Sequence, residues 1–225
     1  LTASIAHEIR NPLGAIAHAA QLLDETAGQN EDEARLLRII QDQSRRMNVI
    51  IENVTQLSRR DKINPVKVQL GLWINDFVRQ FALDGKNPPE IFQTTGVTDM
   101  AVCVDPDQLQ QVVGNLCTNA LRHCPPFAGE ALIALKTGHD KDQRPFLEVI
   151  DRGSGVPPEI VDQIFEPFFT TTAKGTGLGL YIARELCEGN GGRLDYFPGD
   201  QGVGARFRIT FARTEECSEI ALGTL

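Results

Sequence analysis

The chain has 225 residues, of which 41% are apolar and 23% are charged, and its formal net charge is −8 at pH 7. This length accommodates one large domain or two small ones. Residues 1–62 carry 8 basic and 9 acidic side chains, and residues 63–225 carry 14 and 21. Neither part has the basic surface that nucleic-acid binding requires, so we expect no nucleic-acid partner.

Residues 1–60 have apolar side chains at alternating intervals of four and three residues. The two series consist of Ile5, Ile9, Pro12, Ile16, Ala19 and Leu23, and of Leu36, Ile40, Gln43, Met47, Ile50, Val54 and Leu57, with Gln43 as the one polar member. The polar segment AGQNEDE separates them and predicts a turn. The pattern therefore predicts an antiparallel helical hairpin with helices of roughly 25 residues. Because one hairpin leaves much of its apolar seam uncovered, we expect a homodimer that forms a four-helix bundle.

The same register places His7 on the face opposite the apolar seam, with Asn11 one turn later on that face and Glu8 on its flank. Pro12 removes the backbone hydrogen bond to the Glu8 carbonyl, so we expect the helix to bend just after the histidine. An exposed helical histidine usually has no specific role, which is our interpretation of His18. The pairing of His7 with a glutamate and a proline bend makes a specific role more plausible than for His18, but the hairpin alone leaves both interpretations open.

The polar segment RRDKINP, residues 59–65, predicts a linker, and the chain beyond it has a mixed pattern. Strands are predicted at 66–70, 90–95, 101–105, 131–137, 145–150, 193–197 and 203–211, and helices at 71–83, 106–123 and 176–188. Asp105 is a predicted N-cap, followed by Pro106 at the first helical position. The order predicts an α+β sandwich with helices on one face of a mixed sheet. We therefore expect a hairpin at 1–60, a linker at 61–65, this domain at 66–213 and a tail at 214–225.

The first of four informative segments is DQLQQVVGNLCTNALRHC, residues 107–124. Asn115 and Asn119 lie one helical turn apart, on a different face from the apolar side chains. Two amide oxygens in this arrangement suit a Mg²⁺ ion that bridges phosphates and keeps most of its waters. Arg122 and His123 extend the site with positive or protonatable groups. Two solvated asparagines remain an alternative.

The second segment is LEVIDRGSGVPPE, residues 147–159, in which an apolar strand leads directly into Asp151. A carboxylate at a strand end can accept a hydrogen bond from an exocyclic amine, and Gly153 and Gly155 allow a planar base to approach the backbone. An ordinary turn of the DxG type is the alternative.

The third and fourth segments adjoin each other: IFEPFFTTTAK, residues 164–174, and KGTGLGLYIAREL, residues 174–186. Phenylalanines beside a Thr/Lys loop are typical of the anchored hinge of a mobile lid, and simple packing of a loop against the core is the alternative. Glycines 175, 177 and 179 open a predicted helix, whose first N–H groups can cradle phosphates. The GxGxG spacing differs from the dinucleotide fingerprint GxGxxG, and Lys174 precedes the glycines, unlike the lysine of a Walker A loop.

Taken together and in this order, the segments resemble the catalytic core of bacterial sensor histidine kinases. AHEIRNP resembles the H box of that family, NLCTNALRH the N box, DRGSG the G1 box, IFEPFF the F box and GTGLGL the G2 box. The resemblance extends to about residue 212 and implies a HisKA hairpin followed by an ATP-binding sandwich of the GHKL, or Bergerat, type. AHEIRNPLGAIAHAAQLL and RRMNVIIENVTQLSRRD also resemble one subgroup, the sensors of type IV pilus expression.

The resemblance implies a role for each motif residue. His7 is the phosphoacceptor, Glu8 orients its imidazole and accepts its proton, and Asn11 positions water for dephosphorylation of a partner. Asn115 and Asn119 hold Mg²⁺, and Asp151 binds the adenine amine. The other residues implied to surround ATP are Arg122, His123, Gly153, Gly155, Phe165, Lys174, Gly175, Thr176, Gly177, Leu178, Gly179 and Leu180.

The resemblance also implies ATP and Mg²⁺ as cofactors, a homodimer, and a response regulator receiver domain as partner, with the NtrC type as a candidate. Because the sequence starts at Leu1 in helical register, we expect a fragment, namely the cytoplasmic portion of a protein in the bacterial inner membrane. Two rival functions stay open. One is a GHKL ATPase that only hydrolyses ATP, and the other is a degenerate kinase that acts as a scaffold.

Overall fold

The computed structural model describes residues 2–25, 30–58, 63–85, 88–124, 131–172, 175–199 and 203–213. It divides into two compact units. One consists of Leu1–Ser58 with Glu166–Leu178, and the other of Arg59–Phe165 with Gly179–Leu225. Within the described ranges, no helix has both the length and the apolar run that are needed to cross a membrane.

The first unit contains the predicted hairpin, made of α1 (Thr2–Glu25) and α2 (Asn30–Ser58). Ala19 and Ile50, at seam positions of the two helices, are buried. The predicted turn was too long, because α2 already begins at Asn30, inside AGQNEDE. Acidic side chains are favourable in the first turn of a helix, where they face the positive end of its dipole. The three acidic residues at 31–33 therefore extend α2 instead of interrupting it.

The hairpin presents both polar and apolar groups to solvent. Asn11 and His18 are exposed, as the register predicted, and α1 continues through the buried Pro12 without interruption. His7 and Glu8 belong to α1, but their side chains lie outside the described part of the structure. Large apolar side chains outside the seam are also exposed, namely Leu13, Leu37, Val49 and Ile51.

The second unit is an α+β sandwich, as predicted. Its strands are β1 (Val66–Gln69), β2 (Phe92–Gly96), β3 (Ala101–Val104), β4 (Ile133–His139), β5 (Pro145–Asp151), β6 (Arg193–Pro198) and β7 (Ala205–Thr210). Its helices are α3 (Leu70–Gly85), α4 (Pro106–His123) and α5 (Gly179–Gly189), with short 3₁₀ turns at Pro89–Ile91 and Pro158–Gln163. The 3₁₀ turns were not predicted.

The strands form two sheets, whereas the sequence predicted one. Five strands form a mixed sheet in the order β2-β4-β5-β7-β6, in which only the β2–β4 pair of the described strands is parallel. The short strands β1 and β3 form a separate antiparallel pair. α3 follows β1 directly, and the Leu70 N–H donates to the Met100 carbonyl at 2.8 Å. The small sheet therefore fixes the first residue of α3 beside the strand that leads to α4.

α4 and α5 contribute an apolar layer to the core of this unit. Leu116 on α4, Ile182 on α5 and Leu147 on the large sheet are no more than 1% exposed. Full burial of each such side chain stabilises the fold by about 2 kcal/mol. Cys117 on α4 and Cys187 on α5 belong to the same layer as free thiols, and burial raises their pKa well above the usual range.

Glu148 of β5 is a buried charge, which the sequence pattern did not reveal. It is 0% exposed, and its Oε1 accepts from Arg208 of β7 at 2.6 Å. The Arg208 guanidinium also lies 4.4 Å from the ring centre of Phe146. The arginine therefore compensates the carboxylate, and its guanidinium lies against an aromatic ring.

Candidate nucleotide-binding site

Asp151, at the end of β5, is held by backbone donors from two parts of the chain. Its Oδ1 accepts from the Gly153 N–H at 2.8 Å and from the Ala205 N–H at 3.0 Å. The described residues donate no hydrogen bond to its Oδ2. The side chain is therefore fixed through one oxygen and keeps the other for a ligand.

The environment of Asp151 works against its ionised form. The residue is only 7% exposed, and this burial raises the pKa of its carboxyl group. The two backbone N–H donors and the nearby His123 lower it in part. A donor from a ligand, such as an exocyclic amine, would add a favourable contact for a carboxylate that has lost most of its water.

Three chain segments meet at Gly153. A Cβ atom at this position would lie 2.9 Å from the His123 carbonyl oxygen, so the end of α4 packs directly against the DxG turn. The Gly153 carbonyl accepts from the Gly204 N–H at 2.8 Å. Gly204 has φ +81°, and a side chain there would overlap the Asp151 carbonyl. Gly204 and Ala205 therefore belong to the site although the sequence analysis missed them, and the GVG run at 202–204 was the available signal.

Asn115 connects α4 to the start of α5. Its Nδ2 donates to the Gly179 carbonyl at 3.3 Å. Because a carbonyl only accepts, this bond assigns Nδ2 of the amide to the side of Gly179. The predicted N-box and G2-box segments are thus in contact through a side chain that sequence analysis had selected.

The donor set on α4 fits a magnesium ion that is held mainly by phosphates and water. Asn119 is half-buried one turn after Asn115, and the described residues make no hydrogen bond to either amide oxygen. No group of three or more His, Cys, Asp or Glu side chains suited to metal binding occurs among the described residues. Asn115 and Asn119 could therefore supply neutral oxygens but no compensating charge.

α5 begins at Gly179, three residues later than predicted. Gly177 has φ +67°, a left-handed conformation that cannot continue into a right-handed helix. Gly175 and Gly177 therefore belong to the preceding loop, and Gly179 alone opens the helix. The first N–H groups of α5 have no partners within the helix and could therefore face an anion.

The loop of the first unit that leads to α5 is closed at its base by a backbone contact. The Phe168 N–H donates to the Gly177 carbonyl at 2.9 Å, and Phe168 itself has φ +69°. The Gly175 N–H donates to the Thr172 carbonyl at 3.0 Å, and the half-buried Thr176 has its hydroxyl 3.4 Å from Nδ2 of Asn53. The described residues of this segment therefore form a loop with a defined neck, and its role as a lid stays a prediction.

Phe165 anchors the chain just before this loop. Its ring is 6.3 Å from that of Phe207 in an edge-on arrangement, and the Arg184 guanidinium lies 5.2 Å from its centre. These contacts show that Phe165 is packed against the core of its unit, whereas the predicted role of the F box as the hinge of a lid stays a prediction.

The remaining predicted residues differ in placement. Arg122 and His123 are exposed at the end of α4, Gly155 has φ +73°, Leu178 is buried and Leu180 is half-buried. Lys174 lies outside the described residues.

Most of the chain matches two known protein domains. Residues 1–63 match the His Kinase A (phospho-acceptor) domain, and residues 104–215 match the histidine kinase-, DNA gyrase B-, and HSP90-like ATPase domain. Sensor protein kinase PilS of Pseudomonas aeruginosa is 49% identical over 97% of this chain and 41% of its own length. The chain belongs to the sensor histidine kinases. The family expected from the five motifs, including the resemblance to the PilS type, is confirmed.

Solved structures of the sensor kinase family share the fold. The histidine kinase AdeS of Acinetobacter baumannii superposes with a TM-score of 0.65 at 21% identity, over 92% of this chain and 97% of AdeS. Full-length ShkA in complex with AMPPNP gives a TM-score of 0.59 at 22% identity, over 94% of this chain and 46% of ShkA. The chain spans about two fifths of the PilS sensor kinase, so further parts of such proteins lie beyond it.

The neck of the loop allows a test by substitution of two neighbouring glycines. A Cβ at Gly177 would overlap backbone atoms of Phe168, whereas a Cβ at Gly179 would meet no described atom within 4 Å apart from its chain neighbours and its own helix. Gly177→Ala should therefore open the loop and speed tryptic cleavage after Lys174 about 5-fold, because a positive φ costs an alanine about 1 kcal/mol. Gly179→Ala should be cleaved at the original rate. Equal rates for both variants would show that the neck does not hold the loop.

Proposed function

We propose that this chain binds ATP, transfers the γ-phosphoryl group to His7 and passes it to an aspartate of a response regulator receiver domain. The observation that carries the proposal is the arrangement at Asp151, where backbone donors occupy one carboxylate oxygen and leave the other for a base. The phosphoryl group is proposed to go to the N-terminal part of the chain, because residues 1–63 match a phosphoacceptor domain.

In this proposal, each element of the second unit contacts a different part of the nucleotide. Asp151 accepts a hydrogen bond from the adenine amine, and Gly153 and Gly155 make room for the base. The first N–H groups of α5 face the phosphates. The amide oxygens of Asn115 and Asn119 hold Mg²⁺, which neutralises phosphate charge when it is bound.

The transfer step uses a neutral imidazole, the main form of a histidine at neutral pH. A ring nitrogen of His7 attacks the γ-phosphorus, the bond from that phosphorus to the bridging oxygen breaks, and ADP leaves. Glu8 takes the proton from the other ring nitrogen. Phosphoryl transfer of this kind depends on positioning and charge neutralisation more than on covalent participation of the protein.

Residue 115 favours this function over simple ATP hydrolysis. GHKL proteins that hydrolyse ATP keep a glutamate where Asn115 stands, and an amide cannot take a proton from water. In this chain the Asn115 side chain instead donates to the Gly179 carbonyl. A scaffold without activity is disfavoured because every motif residue is present in the sequence.

The proposal includes an assembly and a cellular setting. The exposed Leu13, Leu37, Val49 and Ile51 give the hairpin apolar surface that a second copy would cover in a four-helix bundle. The proposed boundaries remain 1–60 for the hairpin, 61–65 for the linker, 66–213 for the ATP-binding domain and 214–225 for the tail. A receiver domain of the NtrC type is the proposed partner, and the bacterial inner membrane the proposed location of the whole protein.

The test is incubation with γ-labelled ATP and Mg²⁺, followed by treatment of the protein with acid and with base. A phosphoryl group on histidine should be lost in acid and kept in base. ATP hydrolysis without retained label would favour the ATPase alternative, and nucleotide binding without either reaction would favour a scaffold.

Asn11 provides a separate test of the proposed phosphatase activity toward the regulator. Asn11→Ala should keep autophosphorylation within about 2-fold and slow dephosphorylation of the regulator about 10-fold or more, because a positioned water is lost. Asn48→Ala, an exposed asparagine on α2, is the matched control. Unchanged dephosphorylation in the Asn11 variant would remove this residue from the mechanism.

A further inference from the structure

Asp105, between β3 and α4, is a buried carboxylate with both oxygens occupied. Its Oδ1 accepts from the N–H groups of Asp107 at 3.0 Å and Gln108 at 3.2 Å, and so caps α4. Its Oδ2 accepts from the Asn64 N–H at 2.8 Å. The cap was predicted from the sequence, whereas the bond to a residue 41 positions earlier was not.

A second buried side chain links this cap to α5. The Asn190 Oδ1 accepts from the Asp105 N–H at 2.9 Å, and its Nδ2 donates to Oε1 of Gln108 and to the Leu186 carbonyl, both at 2.8 Å. Asn190 and Asp105 are 5% and 8% exposed. The start of α4 and the end of α5 are therefore fixed to one another by hydrogen bonds shielded from water.

Asn64 is part of the segment that joins the two proposed domains. α2 ends at Ser58, and β1 begins its pairing at Val66. If Asn64 is the first fixed residue of the second unit, the chain from Ser58 to it can span at most about 22 Å. If the first fixed residue were Val66 instead, the chain from Ser58 could span about 29 Å. The bond therefore shortens the tether and fixes the direction in which it leaves the second unit.

We propose that the hydrogen bond from the Asn64 N–H to Asp105 positions the ATP-binding domain for phosphoryl transfer to His7. Asp105 is a positioning residue in this role and acts through the linker without touching the nucleotide. Because the same carboxylate caps α4, which carries Asn115 and Asn119, it fixes the exit of the linker relative to the nucleotide-binding helices. Transfer between domains depends on orientation, so loss of this bond should slow the reaction without weakening ATP binding.

Two substitutions at position 64 separate the N–H group from the side chain. Asn64→Pro removes the donor, and a proline is compatible with the extended backbone that Pro65 imposes on the preceding residue. Asn64→Ala keeps the N–H and is the matched control. At saturating ATP, the proline variant should autophosphorylate about 10-fold more slowly than the alanine variant, with Kd for ATP within about 2-fold.

A change at the acceptor tests the same bond without a proline. Asp105→Asn can keep the cap, because asparagine and aspartate are equally good N-caps, but it turns an NH₂ group toward the Asn64 N–H. It should reproduce the slow transfer with unchanged ATP affinity. If Asp105→Asn transfers at the original rate while Asn64→Pro is slow, the restriction of the proline backbone is the cause and the proposal is overturned.

Because the inference rests on the proposed kinase activity, the unsubstituted chain is assayed in parallel. Absence of histidine-bound label in that chain would overturn the proposed function itself. Label in that chain with equal rates in both Asn64 variants would overturn only the positioning role. A parallel fall in ATP affinity in Asn64→Pro and Asp105→Asn would also overturn it, since the bond would then support the nucleotide site.

Discussion

The His7→Gln variant should bind ATP as the unsubstituted chain does and retain no phosphoryl group from it. Glutamine can take the place of a histidine on a helix surface, but its amide nitrogen is not a nucleophile. Its effect should therefore fall on the transfer step, with acid-labile label reduced to background and Kd for ATP changed less than about 3-fold. Label retention is measured with γ-labelled ATP, and affinity by calorimetry.

His18→Gln is the matched control for this experiment. His18 is exposed on α1, three helical turns after His7, and carries no proposed role. It should retain as much label as the unsubstituted chain. If acid-labile label persists on His7→Gln and disappears from His18→Gln, then His18 is the phosphoacceptor and the assignment to His7 is wrong.

The second large effect is expected for Asp151→Asn, which should weaken ATP binding about 100-fold. The substitution replaces the free Oδ2 with an NH₂ group that faces the adenine amine, so a charge-assisted hydrogen bond becomes a contact between two donors. The loss corresponds to about 2.7 kcal/mol. Calorimetric titration with ATP and with GTP, which has a carbonyl in place of the amine, distinguishes the cause. The asparagine variant should lose its preference for ATP over GTP.

The same substitution should stabilise the nucleotide-free protein at neutral pH. Burial raises the pKa of Asp151 in the folded state, so protonation stabilises the fold at low pH and this contribution is lost as the pH rises through the folded-state pKa. At pH 7 the buried, ionised carboxylate of Asp151 therefore lowers the free energy of unfolding, whereas a neutral asparagine at this position carries no buried charge. Oδ1 can still accept from Gly153 and Ala205, and we expect Tm to rise by about 2 °C at pH 7, with the difference narrowing in acid.

Asp99→Asn controls for the change in net charge. Asp99 is exposed in the connection between β2 and β3 and should alter neither ATP affinity nor Tm. If Asp151→Asn binds ATP with the original affinity, the carboxylate does not contact the base. A Tm below that of the unsubstituted chain at pH 7 would show that the negative charge supports the fold.

The sequence predicted well those features that depend on local patterns. The apolar stripe of α4, the cap at Asp105 and the run into Asp151 are each encoded within a few residues, and the structure contains all three. The family resemblance implied only that the N-box and G2-box segments both surround a nucleotide, and the direct contact between Asn115 and Gly179 is a finding of the structure. A residue such as His7 could be selected because its neighbours and register are local as well.

Features that depend on distant parts of the chain were not predictable in this way. Ala205 donates to Asp151 from 54 residues away, and nothing in the ARFRIT strand indicates that its first N–H meets a carboxylate. The separation of β1 and β3 into their own sheet results from pairing and packing that periodicity does not specify. The late start of α5 was a local error, because the left-handed Gly177 was taken as part of the helix.

The buried thiols of α4 and α5 make the apolar layer chemically traceable. A thiol reacts with alkylating reagents as its thiolate. Burial raises the pKa of Cys117 and Cys187, which keeps them protonated, and it also keeps the reagent away from their sulfur atoms. Their modification in the native protein must therefore await transient separation of the layer from the sheet. Cys117 lies on α4 between Asn115 and Asn119. Its alkylation rate therefore reports how often the helix that is proposed to hold the metal separates from the core. The rate at which this layer opens can thus be measured by mass spectrometry on the native cysteines, without any introduced probe.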